Sequence, residues 1–278
     1  MSSLKKFAMA TTVVLAAMTA TLAAASAQTV DSIKKGGVLK IGSQVAQVPW
    51  GFTDTSGKLT GFDIELGEML AKDLGVKAVV TPVTSSNRVA ALLTGQVDVL
   101  AAVMGIFADR QKVVLFSRPY TTNDTIYIGK TSANIKGWKD LKGVRVGVPR
   151  GTPQDIAITK AAPEGAIIQR FDDDAGTVQA LIAGQVDMIG GAATQVPNIA
   201  QVAGPGKFEE KFVVARAFNA FAVRPGSREW ADYLSDFVKR KLASGELPAL
   251  YKKWIGGTLA EMPTTGEGEA ALPIQMVQ

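Results

Sequence analysis

Arg110, Thr152 and Gln154 are the residues whose types and settings best suit an anionic guest. A planar guanidinium makes two parallel charge-assisted bonds to a carboxylate, a geometry an ammonium does not copy. The bland alternative for Arg110 is a surface arginine paired with Asp109. Thr152-Pro153-Gln154-Asp155 follows an apolar run at 144–148 and Gly151, with Thr152 as the expected N-cap and proline in the first turn. Such a helix start presents free backbone N–H groups and the positive end of the helix dipole to an anion. Its alternative is an ordinary capped helix.

Weaker candidates surround these. Trp50 and Phe52 sit in a proline-containing loop, where an aromatic either stacks on a ligand or packs into the core. Ser85 and Ser86 precede a helix, lining a cleft or capping that helix. Asp172-Asp173-Asp174 reads as a solvated turn, or as the place for a general acid or base. The chain has no cysteine and no histidine. That removes the usual zinc ligands and any histidine-based nucleophile triad. No Gly-Lys-Ser/Thr phosphate loop is present either. The expectation is no metal, no cofactor and no catalytic residue.

An internal echo shows which elements must carry these groups. Ala91-Leu-Leu-Thr-Gly-Gln-Val-Asp98-Val-Leu100 matches Ala180-Leu-Ile-Ala-Gly-Gln-Val-Asp187-Met-Ile189. Each copy reads as a helix end, a glycine stop and a short buried strand. Each lies downstream of an apolar strand, 38–41 in one case and 144–148 in the other. Two α/β lobes of related topology follow, each with a largely parallel sheet. Repetition of Asp98 and Asp187 in both lobes argues for a structural role. The spacing predicts a helix over 63–74, with Asp63 as N-cap and Gly75 as terminator. It also predicts strands over 77–83, 167–171 and 218–223. Crossovers at 118–128 and 214–223 make a two-strand hinge with a cleft between the lobes. Lobe 1 is expected over 38–120 plus 222–256 and lobe 2 over 124–218, with 257–278 a disordered tail.

The N-terminus points to export. Lys5 and Lys6 precede an uncharged run at 7–24, and Ala25-Ser26-Ala27 has the small-x-small pattern of a cleavage site. Residues 1–27 are therefore expected to be a signal peptide. The formal charge of +5 over 278 residues is mild and dispersed. Clusters such as Lys239-Arg240-Lys241 fall in amphipathic patterns and read as solvated faces, so no nucleic-acid partner is expected.

Longer runs carry a resemblance: Gly57-Lys-Leu-Thr-Gly-Phe-Asp-Ile-Glu-Leu66, Ala108-Asp-Arg110, Phe116-Ser-Arg-Pro-Tyr120 and Trp138-Lys-Asp-Leu-Lys-Gly143, with both Gly-Gln-Val-Asp motifs and Tyr251-Lys-Lys-Trp254. In order and spacing, residues 38–255 resemble the family 3 extracellular solute-binding proteins, the periplasmic polar amino-acid-binding proteins of ABC importers. The resemblance implies an α/β two-lobed periplasmic-binding-protein (Venus-flytrap) fold. It implies a monomer that passes a small polar carboxylate, an amino acid or a relative, to a membrane permease. An enzyme of lyase or dehydratase type on the same fold, or a periplasmic sensory module, is the alternative.

The resemblance also implies site residues. Arg110 aligns with the arginine that grips the ligand carboxylate, and the Thr152–Gln154 turn lies at the cleft. Trp50, Gln47, Ser85, Met104, Gly105 and Ala192 complete the implied lining. There are departures. The family usually has an aromatic near Gln47, hydroxyls where this chain has Val103 and Gly105, and often an acid where it has Ala192. A buried ammonium without a counter-charge costs several kcal/mol. Either another acid serves, from Glu65 or Asp172–Asp174, or the ligand carries no ammonium there.

Overall fold

The computed structural model describes residues 27–268. The export signal expected at 1–27 lies outside these residues except for Ala27, as does the tail from 269 onward. Among the described residues no helix is long and apolar enough to cross a membrane.

Two five-stranded sheets carry the molecule. The first runs in the order Lys77–Val83, Val38–Gln44, Val99–Leu100, Ala222–Val223, Leu115–Phe116. The second runs Ile167–Phe171, Arg145–Pro149, Met188–Ala192, Thr121–Lys130, Phe208–Asn219. In each sheet the first three strands are parallel. Leu39 and Ile41 face a core with Phe62, Leu66 and Leu70 of one helix and Trp230, Leu234 and Phe237 of another. The second sheet buries Val146, Val148 and Tyr127 on one side and Ile126, Ile128 and Leu181 on the other.

The repeated motif closes each parallel unit in the same way. Asp98 Oδ2 accepts the Lys40 N–H at 2.9 Å, and the Asp98 N–H donates to Lys40 O at 2.8 Å. Asp187 Oδ2 accepts the Arg145 N–H at 3.0 Å, and the Asp187 N–H donates to Arg145 O at 2.8 Å. The aspartate thus ties the entry of the following strand to its parallel neighbour. That is a structural role.

The chain passes between sheets twice. Thr121–Lys130 and Phe208–Asn219 run antiparallel, with Thr121 opposite Asn219. Residues 218–223, expected as one strand, are split. Phe218 and Asn219 end the long strand of the second sheet, and Ala222–Val223 belongs to the first. The loop expected after the first strand is a small antiparallel sheet of Ala46–Gln47, Gly51–Thr53 and Leu59–Thr60. The helix expected over 63–74 begins at Phe62, and its N-cap is Gly61, with no side-chain bond. Asp63 is instead buried and turned away from its own helix end. Gly75 closes that helix at φ 73°, the left-handed conformation for which glycine is suited. The tail expected to be without structure is placed as far as Gly268. Leu259 packs against the first core, and Gln111 Nε2 donates to Gly266 O at 3.1 Å.

Replacing Asp98 by alanine removes the acceptor of the Lys40 N–H, an exposed bond that water can replace, and is expected to destabilise the fold by about 0.5–1.5 kcal/mol. Asp187→Ala acts in the same direction and more strongly, since its bond to the Arg145 N–H is part-buried and two bonds from the Arg145 guanidinium are lost with it. Urea unfolding checks both, as a lower midpoint with an unchanged slope.

Candidate functional site

A small polar cavity of about 30 Å³ lies between the two sheets, at the carboxyl ends of their parallel strands. Open α/β sheets place ligands there because the strand-to-helix loops diverge at that edge. One side consists of Gln44, Gln47, Ser85 and Arg88, the other of Thr152, Gln154, Asp174 and Ala192. Asn123, Thr125 and Asn219 reach it from the two crossing strands.

Asp174 is the acid of this cavity. Its neighbour Asp173 caps the helix Asp174–Ile182 by accepting the Gly176 N–H at 2.7 Å. With the cap supplied, Asp174 is free to turn inward, where it is 3% exposed. Its carboxylate accepts Gln195 Nε2 at 2.9 Å within its own lobe. From the opposite side it accepts Gln44 Nε2 at 3.2 Å, Ser85 Oγ at 3.3 Å and Gln47 Nε2 at 3.4 Å. Burial pushes the carboxyl above its ordinary range, while the Arg88 charge and the hydrogen bonds from Gln195, Gln44 and Ser85 pull it down.

Arg88 is the cation of the same cavity. It opens the helix Arg88–Leu93 and is 3% exposed. Its Nη1 donates to Gln44 Oε1 and to Ala102 O, both at 2.6 Å. Burial lowers it to about 10, opposed by the charges of Asp174 and Asp63, so it is protonated at neutral pH. Gln44 therefore joins the two ions, accepting from Arg88 and donating to Asp174.

Arg110 stands beside this cavity rather than in its lining. Its guanidinium lies over the Phe107 ring, 5.1 Å from the centroid. Nη1 donates to Gly105 O at 3.0 Å and Nη2 to Gly151 O at 3.1 Å, one carbonyl from each lobe. Asp109 is not its partner, being paired with Lys112 at 2.7 Å. Burial, and then the nearby Arg88 charge, hold Arg110 well below its ordinary value. It is a buried cation bonded to neutral carbonyls, which makes it ready to exchange them for an anion.

The helix Pro153–Ala161 begins at the cavity. Gly151, at φ 70°, turns the chain, and Thr152 Oγ1 accepts the Asp155 N–H at 3.3 Å. Thr152 O takes the Ile156 N–H at 3.0 Å, and Pro153 has none to give. The Gln154 N–H is left as the donor of this first turn.

Gln47, Ser85, Gly105, Thr152, Gln154 and Ala192 all line the cavity. Trp50 and Met104 do not. Trp50 is fully buried in the first core, edge-on to Phe62 at 5.5 Å, with its indole N–H donating to Thr194 Oγ1 at 3.1 Å. Met104 is also fully buried, packed in a second cluster of the first lobe. Both are apolar residues in connecting segments, whose facing direction is set by packing. Phe52 packs edge-on to Trp254, 5.8 Å away. Glu65 is paired with Lys253 at 2.6 Å on the surface. At the position of Ala192 the backbone N–H donates to Gln195 Oε1 at 2.9 Å, and Gln195 in turn donates to Asp174. Sequence reasoning did not single out Arg88, Gln44, Asn123 or Asn219. Arg88 alone left a local trace, as a cation heading the apolar run Arg88-Val-Ala-Ala-Leu-Leu93. Gln47 Oε1, Arg88 Nε, Asn123 Oδ1 and Asn219 Nδ2 are buried without a protein partner, and all four residues line this cavity.

The family model of the bacterial extracellular solute-binding proteins, family 3, matches residues 39–257. The chain belongs to that family. It is 29% identical over 238 residues to the L-cystine-binding protein TcyJ of Escherichia coli, covering 83% of this chain and 87% of that protein. It is 30% identical over 218 residues to the ABC transporter glutamine-binding protein GlnH of Bacillus subtilis, covering 74% of this chain and 77% of that one. Among solved structures, the solute receptor for L-cysteine of Neisseria gonorrhoeae superposes with a TM-score of 0.77 at 28% identity, covering 82% of this chain and 94% of the receptor. An ancestral amino acid-binding protein, described as a precursor of cyclohexadienyl dehydratase, gives 0.74 at 32% identity, covering 81% and 98%. The two-lobed periplasmic-binding-protein fold of the family 3 proteins is the fold of this chain.

Arg88 and Asp174 share Gln44 as a bridge, so their effects on stability are expected to couple. In a double-mutant cycle with Arg88→Met and Asp174→Ala, the coupling is about 0.5–3 kcal/mol, read by urea unfolding. Additive losses would show that the two ions act independently.

Proposed function

We propose that this family 3 protein captures an α-amino acid as a zwitterion and delivers it to the permease of an ABC importer. The observation that carries this is the charge layout of the cavity. A buried carboxylate, Asp174, and a buried guanidinium, Arg88, line it with amide and hydroxyl side chains between, and a second buried guanidinium, Arg110, stands beside it on the Gly105 and Gly151 carbonyls. Asp174 takes the ligand ammonium, supplying the counter-charge that Ala192 lacks. Arg110 takes the carboxylate together with the Gln154 N–H, giving up its bonds to Gly105 and Gly151 for stronger ones. Arg88 keeps Asp174 ionised in a dry setting.

Capture follows from where these groups reside. Arg110 and Arg88 belong to one lobe, Asp174 and the Thr152–Gln154 turn to the other. A zwitterion between them is bonded by both lobes only when they are closed, so it shifts the equilibrium toward the closed form. The names of the relatives place cystine, glutamine and cysteine among the ligands to try first. The surrounding biology in this reading is export through a cleaved signal to the periplasm, and a monomeric receptor without a nucleic-acid partner. Binding is favoured over lyase-type chemistry because Asp174 is held as an acceptor by four donors, which opposes its use as a base. An amino acid recovered chemically unchanged after incubation supports this.

The test is a thermal-shift screen of the common L-amino acids with L-cystine, since a ligand raises apparent stability by mass action. Arg110→Lys is expected to weaken the best hit about 100-fold, because a point charge does not reproduce the fork. If Arg110→Ala keeps full affinity while Arg88→Met abolishes it, the carboxylate belongs to Arg88 and the assignment is wrong.

A further inference from the structure

Val103 is the one non-glycine residue with positive φ among the described residues, at 50°. A β-branched side chain is poorly suited to that conformation, and such a residue persists only when its surroundings hold it. Val103 also walls the cavity. What holds it is Asp63. Asp63 Oδ2 accepts the Val103 N–H at 2.8 Å, and Oδ1 accepts the Tyr120 hydroxyl at 2.9 Å. Tyr120 stands where the chain leaves the first sheet. Its ring lies 5.0 Å from that of Phe221, and its N–H donates to Asn219 O at 2.9 Å. Asn219 is itself a cavity residue on the returning strand. One carboxylate, 1% exposed and outside the cavity, thus joins the strained wall of the site to both strands that cross between lobes.

We propose that Asp63 is a positioning residue for ligand capture, holding the Val103 turn and the Tyr120 crossover in one geometry, and that its ionised form is the one competent to bind. The proposal rests on the reading of this cavity as the amino-acid site. The charged or titratable groups facing Asp63 are Tyr120, before the crossing strand, and Arg88, on the helix after Ser85. Burial pushes the Asp63 carboxyl up to about 7, against the pull of the Val103 N–H, Tyr120 and Arg88. A proton arriving on Oδ1 as the pH falls through that value reverses the Tyr120 bond, the carboxyl O–H donating to the phenol oxygen, and leaves the Val103 N–H on a neutral acceptor, which holds it less strongly than a carboxylate. Affinity therefore falls toward acid pH. Stability moves the other way for this group. Its folded value lies above the ordinary 3.8, so the folded chain binds the proton more tightly, and this group's contribution improves as the pH drops from about 7 toward 3.8.

The experiment uses the purified chain with Asp63→Asn, Tyr120→Phe, and Asp63→Asn combined with Val103→Gly. The common L-amino acids and L-cystine are titrated by calorimetry between about pH 6 and pH 8. Hydrogen exchange at the Val103 amide is followed without ligand. Wild-type affinity is expected to weaken several-fold from the alkaline to the acid end. Asp63→Asn is expected to bind about ten-fold more weakly at the alkaline end, with no pH slope, and to expose the Val103 amide to faster exchange. Val103→Gly in that background recovers affinity, because glycine adopts positive φ unaided. Tyr120→Phe keeps the carboxylate but removes one donor, so it moves the midpoint of the wild-type pH profile upward, and it decides the matter should Asp63→Asn not fold. A folded Asp63→Asn with wild-type affinity and slope, or an unchanged Val103 exchange rate, overturns the proposal. If no amino acid binds the wild type, the functional reading fails, while the exchange measurement still decides the role of Asp63.

Discussion

A carboxylate without water needs donors, and the meeting of the two lobes depends on how Asp174 obtains them. Gln195 supplies one from its own lobe, while Gln44, Ser85 and Gln47 reach across from the other. An unpaired charge in this position would cost several kcal/mol. The lobes therefore close around a pre-arranged set of polar groups, with Gln44 relaying between Arg88 and Asp174.

The same logic accounts for Ala192. An acid there would stand on the end of the strand Met188–Ala192, fixed by the sheet. In this chain the acid stands on the adjacent helix start, and Gln195 spans the gap by bonding both Ala192 N–H and Asp174. From there the acid is within reach of Ser85 and Gln44 of the first lobe.

Arg110 and Asp63 show how backbone groups enter the chemistry. Arg110 bonds two carbonyls, one from each lobe, and Asp63 bonds a strained amide. In both cases an ion is spent on main chain that no helix or ladder satisfies. Such bonds shape loops, and the loops here are the walls of the site. A hydrophobic core holds each sheet rigid behind them, with Trp230, Phe237 and Leu39 under one and Tyr127 and Val148 under the other.

Much of the fold was legible in the sequence, because helices, caps and parallel units are set by residues close along the chain. The doubled Gly-Gln-Val-Asp motif marked two related units, and Thr152 and Gly75 marked helix ends by their own local bonding. The Thr152–Gln154 turn and Ser85, which follow strands, line the cavity, and so do Gln47 and Gly105, which only the family resemblance implied. What only the tertiary structure decided is which distant side chains converge. Gln44 and Asp174 are 130 residues apart, and Asp63 and Tyr120 are 57. Neither pairing leaves a local pattern. Asp63 looked like an N-cap because aspartate at a helix start commonly is one; its burial under Tyr120 reversed that. Trp50 is a loop aromatic, in the turn between Ala46–Gln47 and Gly51–Thr53, and only packing decided that its ring enters the core. Periodicity reports which way a side chain faces within its own element, and a binding site is made by elements facing one another.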